Sequence, residues 1–133
     1  MSDAGETVRQ FVASFEKRDA ELLKTFLDDA IVFSNHGDPE VRGKENVVQI
    51  WKRVFTAFAQ VRFETIRQAV DGAIVLAEQI HHLALPGRES AAIPNMATYE
   101  VRNGRIVLWH DYSDGQSARE TLNATKPLAA PQS

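Results

Sequence analysis

The sequence predicts an α+β fold in which three N-terminal helices pack in a strongly curved, mostly antiparallel sheet. Three observations carry this reading. Up to Phe58 the apolar residues recur mainly at helical spacing, with one short strand between helices. From Val61 onward the segments read as strands, and Asp71-Gly72 and Asn103-Gly104 supply the tight turns of a meander. Helices grouped before strands, rather than alternating with them, place the helices on one face of a sheet.

The elements follow in order. Residues 3–17 predict a helix, capped by Asp3 with Glu6 three residues on, and faced by Val8, Phe11, Val12 and Phe15. A second helix starts at Asp19, a good N-cap, with Leu22, Leu23, Phe26 and Leu27 as its apolar face. Residues 30–35 read as a short strand that runs into the polar loop His36-Gly37-Asp38-Pro39-Glu40. Arg42-Gly43-Lys44 leads into the third and strongest helix, where Val47, Ile50, Trp51, Val54, Phe55 and Phe58 form a continuous stripe. Residues 61–70 form a strand with irregularly spaced apolar positions at Val61, Phe63 and Ile66. Strands at 73–83 and 90–102 follow, with Pro94 marking a bulge or an irregular entry. Residues 1–118 are read as one domain, and residues 119–133, which lack periodicity, as a loose tail.

Bulk properties narrow the function. A chain of 133 residues with 44% hydrophobic and 25% charged residues is an ordinary globular domain with room for one core. A net charge of -3 argues against nucleic acid as a partner. No apolar run is long enough for a membrane span, and Met1-Ser2-Asp3-Ala4-Gly5-Glu6 lacks the pattern of a signal peptide. The absence of cysteine excludes thiolate chemistry and fits a cytoplasmic location. No phosphate loop, dinucleotide fingerprint or nucleophile elbow is present, so no cofactor is expected.

The last strand, Gly104 to Asp114, organises the candidate site. Alternation puts Val107, Trp109 and Asp111 on one face and Leu108, His110 and Tyr112 on the other. Both faces carry large apolar groups, which predicts a strand covered on each side. Asp111 then points into an apolar environment, where a carboxylate needs a partner or carries a raised pKa.

Several motifs in this order carry a family resemblance. They are Phe33-Ser34-Asn35, Val41-Arg42-Gly43-Lys44-Glu45, the Asp71-Gly72 hairpin, the Tyr99 to Ile106 turn and Trp109-His110-Asp111-Tyr112-Ser113-Asp114. Over residues 5–115 the chain resembles the nuclear transport factor 2-like superfamily, in its SnoaL-like and limonene epoxide hydrolase-like branch. The resemblance implies a cone-shaped cavity between helix three and the sheet. It also implies a homodimer through the outer face of the sheet.

Limonene epoxide hydrolases resemble the chain most in the closing Trp-x-Asp-Tyr-x-Asp pattern. Their site carboxylate falls on Asp111 and their Asn on Asn35. Three positions depart: Phe33 stands in the Tyr place, Gln79 in the Arg place and His81 in the second Asp place. Phe33 cannot hydrogen-bond a water and Gln79 cannot bridge two carboxylates, so the family's water-activating array is broken. The resemblance puts Gln79 and His81 on Asp111's face. It thereby implies a His81–Asp111 acid/base pair, each partner stabilising the charge of the other. Such a pair suits proton transfer on a small apolar substrate in an isomerase, cyclase, dehydratase or hydrolase. The alternative is a non-catalytic ligand-binding or accessory domain.

Within that reading Asp111 and His81 are the catalytic candidates. Asn35 and Gln79 orient the substrate, and Trp109, Phe33 and Trp51 line the wall. Each has a plainer role available: Asp111 as a structural carboxylate, His81 as a satisfied core histidine, Asn35 as a turn residue and Trp51 as core. Asn95, next to Pro94, is left unassigned. His81 and His82 point to opposite faces and do not readily chelate one ion, so no metal is expected.

Overall fold

The computed structural model describes residues 3–129. Helix α1 spans Ala4–Ser14, with Asp3 Oδ1 accepting from the Gly5 amide at 2.8 Å. A 3₁₀ turn, Phe15–Lys17, ends at Arg18 in the left-handed region (φ 50°). Helix α2 is short, Ala20–Lys24, capped by Asp19. Leu27, expected on that helix, instead opens strand β1, Leu27–Asn35, which therefore begins earlier than residue 30. Strand β2, Val41–Arg42, has only two residues and no periodicity by which to be recognised. Gly43, at φ 92°, lets the chain turn from β2 into α3, Lys44–Ala57.

The meander is β3 (Gln60–Asp71), β4 (Ile74–Ala84), β5 (Ala91–Arg102) and β6 (Arg105–Tyr112). The sheet is curved and unclosed, in the order β2-β1-β6-β5-β4-β3. All neighbours are antiparallel except β1 and β6, which run parallel with Phe33 opposite Trp109 and Asn35 opposite Asp111. The α+β architecture expected from the sequence is the one observed.

Two register shifts explain where simple alternation fails. One lies between Thr65 and Arg67, so Ile66 turns outward and is exposed. The other lies between Glu100 and Val101, opposite Val107. As a result Ile106 is fully buried while Val107 is only half-buried, and Val107 does not continue the Trp109–Asp111 face. Pro94 causes no shift in the β4–β5 pairing. It lies beyond Met96, the last β5 residue paired to β6, so its missing N–H falls where β5 is locally an edge.

The core is aromatic where α1 and α3 meet the sheet. Phe11 and Phe15 meet Trp109 edge-on at 5.1 and 5.8 Å, and Trp51 stacks on Trp109 at 5.3 Å. Beyond residue 118, where a loose tail was expected, helix α4 runs from Gly115 to Asn123. The following segment lies against the β4–β5 loop, with the Glu89 amide donating to Lys126 O and the Leu128 amide to Gly87 O, both at 2.9 Å. The end of the expected tail, residues 130–133, lies outside the described residues.

Candidate active site

Strands β4, β5 and β6 each aim a polar side chain at the inner face of the sheet. Antiparallel pairing sets Gln79 opposite Asn95 and Ala97 opposite Asp111. Gln79, His81, Asn95 and Asp111 are all buried, with exposures of 1%, 9%, 3% and 6%. Four polar groups this deep need partners, and they find them mostly in one another.

Asn95 is the hub. Its Nδ2 donates to Asp111 Oδ1 and to Gln79 Oε1, both at 3.1 Å, and lies 3.3 Å from His81 Nε2. Gln79 Oε1 is also 2.9 Å from His81 Nε2, and Gln79 Nε2 donates to the Tyr99 hydroxyl at 3.1 Å. Trp109 Nε1 donates to Asp111 Oδ1 at 3.1 Å. The chain therefore runs from Asp111 through Asn95 and Gln79 to His81. No direct His81–Asp111 hydrogen bond or salt bridge forms among the described residues.

The electrostatics follow from burial rather than from pairing. Burial pushes the Asp111 carboxyl up from 3.8 to about 6, against the opposing hydrogen bonds from Asn95 and Trp109. Burial, with a smaller contribution from His82, holds His81 down at about 3. The ring also stacks on Phe63 at 3.6 Å between centroids, an apolar neighbour. Mutual stabilisation of an imidazolium and a carboxylate would shift both groups the other way. At neutral pH His81 is therefore uncharged, and the expected ion pair is corrected to two separately desolvated groups joined by an amide. Tyr99 is pushed upward by the same burial, and the Asp111 charge adds to the shift.

Beside this network lies a cavity of about 560 Å³ between α3, the inner face of the sheet and α4. Its apolar wall includes Phe33, Val41, Ile50, Trp51, Val54, Phe63, Leu83 and Ile93, closed by Ala118 and Leu122 of α4. Its polar lining is Asn35, Asp38, His81, Asp111 and Ser113. Asn35 is half-buried at the end of β1, and its Oδ1 accepts from Ser113 Oγ at 3.4 Å. Of the seven residues proposed from sequence, Asp111, His81, Asn35, Phe33 and Trp51 line this cavity.

Trp109 and Gln79 do not. Trp109 is enclosed in the aromatic core, where it packs against the wall residues Phe33 and Trp51 and donates its Nε1 to Asp111. Gln79 lies behind His81 and borders instead a groove bounded by the outward-facing Ile66, Met96 and Tyr112. The sequence alone assigns Asn95 no role. The signal was present in the alternation of Ala91, Ile93, Asn95, Ala97 and Tyr99, all of them buried, but Pro94 obscured it. Among the described residues, no group of three or more His, Cys, Asp or Glu is placed to hold a metal ion. No helix there is long and apolar enough to cross a membrane.

Comparison with known proteins gives this geometry a context. A model of the SnoaL-like domain matches residues 8–109. Epoxide hydrolase EphG of Mycobacterium tuberculosis is 30% identical over 109 residues, covering 80% of this chain and 70% of that protein. A solved limonene epoxide hydrolase-like enzyme from M. tuberculosis is similar at a TM-score of 0.80 and 26% identity, covering 90% of this chain and 89% of its own. An NTF2-like protein of unknown function from Burkholderia pseudomallei superposes at a TM-score of 0.81 with 19% identity, covering 93% and 100% of the two chains, and speaks for the fold alone.

Proposed function

The chain belongs to the SnoaL-like domain family, and from that premise we propose that it is a cofactor-independent acid/base enzyme acting on a small apolar molecule. Asp111 is the base. The observation that carries the proposal is its carboxylate: Oδ1 takes both hydrogen bonds, from Asn95 and Trp109, while Oδ2, at the wall of an apolar cavity, has no donor among the described residues. A carboxyl that titrates at about 6 is largely ionised at neutral pH, yet basic enough to accept a proton from substrate or water. His81, being neutral, acts as a hydrogen-bonding group rather than as an imidazolium acid. Asn35 sits opposite Asp111 on β1 and completes the polar edge. Phe33 and Trp51 shape the wall.

Two of the relatives, those from M. tuberculosis, carry hydrolase chemistry in their names. Isomerase, cyclase, dehydratase and hydrolase reactions all need a base of this kind, so the substrate must come from a screen. The test is turnover of a panel of small terpenoids bearing hydroxyl or amine groups, alongside epoxides and enones, by the wild type and by Asp111→Asn. Activity that vanishes in Asp111→Asn while the thermal midpoint holds supports the proposal. Activity that persists in the variant overturns it.

A homodimer through the outer face of the sheet belongs to the same reading. Leu76, Met96 and Tyr112 on that face are 46%, 47% and 49% exposed, an apolar surface that a second copy would cover.

A further inference from the structure

We propose that the cavity selects an apolar molecule with a hydrogen-bond-donating head, a hydroxyl or a protonated amine, and refuses anions. The inference rests on the cavity being the ligand site and adds the class of ligand. It starts from the direction of the hydrogen bonds. An ionised Asp111 only accepts, so Asn95 must turn its NH₂ toward Oδ1. The same nitrogen meets Gln79, which must therefore present its carbonyl oxygen. That oxygen, already receiving from Asn95, takes a second hydrogen bond from His81 Nε2 at 2.9 Å. His81 is thus the neutral tautomer with its proton on Nε2, pointing away from the cavity. Nδ1 is left with a lone pair and no partner among the described residues.

Two acceptors, Asp111 Oδ2 and His81 Nδ1, therefore face the ligand from β6 and β4; the donors on the wall are the Asn35 amide, whose Oδ1 is taken by Ser113, and the Trp51 indole N–H, buried with no partner among the described residues. Asp38 adds a second carboxylate to the lining, and among the described residues no Lys or Arg lines the wall. A ligand carboxylate would sit beside a buried like charge with no cation to offset it. An ether or ketone head can accept from the Asn35 amide but would leave Asp111 Oδ2 and His81 Nδ1 unpaired after their water is displaced. A hydroxyl satisfies one of them, and an ammonium can satisfy both and also offset the Asp111 charge.

The test is calorimetric titration of the intact protein at neutral pH with four probes of one shape. They are cyclohexylmethanol, cyclohexylmethylamine, cyclohexylmethyl methyl ether and cyclohexanecarboxylate. The alcohol, the amine or both should bind at least about tenfold more tightly than the ether and the carboxylate. The stronger of the two identifies hydroxyl or ammonium as the preferred head. In Asp111→Asn the amine's advantage over the ether should collapse. Equal binding of the ether, comparable binding of the carboxylate, or no binding by any probe would overturn the inference. Nitrogen NMR of His81 gives an independent check that needs no variant: a proton found on Nδ1 rather than Nε2 also overturns it. Turnover is not a readout here. A protein with this preference that converts no substrate loses the catalytic reading and keeps this one.

Discussion

Asn95 donates its side-chain amide to Asp111 Oδ1 across 3.1 Å, from a strand that neighbours β6 in the sheet. That bond stabilises the ionised carboxylate and opposes the desolvation that raises its pKa. Asn95→Leu removes the donor and keeps the bulk. The Asp111 pKa should then rise above about 6, and the acidic limb of any pH–rate profile should move up with it. The variant should also lose about 1–3 kcal/mol of stability, since Gln79 and Asp111 each lose a buried partner. Carboxyl NMR titration reads the shift. An unmoved limb would show that Asn95 does not tune the base.

Asp111 and His81 should pull the stability of the fold in opposite directions over the same pH range. Asp111 titrates at about 6 when folded and near 3.8 when free. Its contribution is present below about pH 4 and is lost as pH rises through 6. His81 titrates at about 3 when folded and near 6.5 when free. Its contribution is present above pH 6.5 and is lost as pH falls toward 3. Between pH 4 and 6 the two slopes, each about 1.4 kcal/mol per pH unit, largely cancel. Asp111→Asn should unmask the histidine, giving a protein that weakens steadily as acid is added. His81→Gln should unmask the carboxyl, giving one that strengthens from pH 6 down to 4. Denaturant melts across that range compare the slopes, and parallel curves for the two variants would refute the assignment.

Much of this site was legible before the fold was known, for a physical reason. Asp111 two residues from Trp109, and His81 two from Gln79, are strand alternations, and an inward carboxylate has few roles. What alternation cannot supply is the depth of each residue. Trp109 shares the face of Asp111, but the Phe11 and Phe15 rings reach it first and keep it from the cavity. Nor does alternation survive a bulge, which takes Val107 off the face of Trp109 and Asp111 and accounts for the irregular spacing of Ile66 after Phe63. A shared face does not fix protonation states either, because proximity is not contact. Asn95 separates the two groups, and desolvation then outweighs their attraction.

Helix α4 closes the cavity with Ala118 and Leu122, yet none of its residues is buried. Its C-terminal end is held by Arg88 Nη1 donating to Thr125 O at 3.0 Å and by the backbone bonds of Lys126 and Leu128. With so little apolar burial, α4 should open at a much lower free energy than the central strands. Hydrogen exchange should therefore show residues 116–124 exchanging well before β4 and β5. Arg88→Ala should speed that exchange about fivefold, the equivalent of about 1 kcal/mol, and leave the strands unchanged. Protection of α4 equal to that of the sheet would mean that the cavity does not open on this side.

The outer face supplies the last prediction. A stable dimer needs about 1,600 Å² buried in total, which a sheet-on-sheet contact can provide. Leu76, Met96 and Tyr112 are exposed on strands β4, β5 and β6, with the Arg67–Glu78 pair at 2.6 Å nearby. Sedimentation should give a dimer for the wild type and a monomer for Leu76→Lys combined with Met96→Lys. Both side chains are about half exposed, so the charges cost the monomer little while desolvating two ammonium groups blocks the contact. The network of Asp111, Asn95, Gln79 and His81 belongs to one chain, so the monomeric variant should keep the same Asp111 titration. A monomeric wild type would sink the interface. A shifted Asp111 titration in the monomer would instead show that the second copy shapes the site through the sheet.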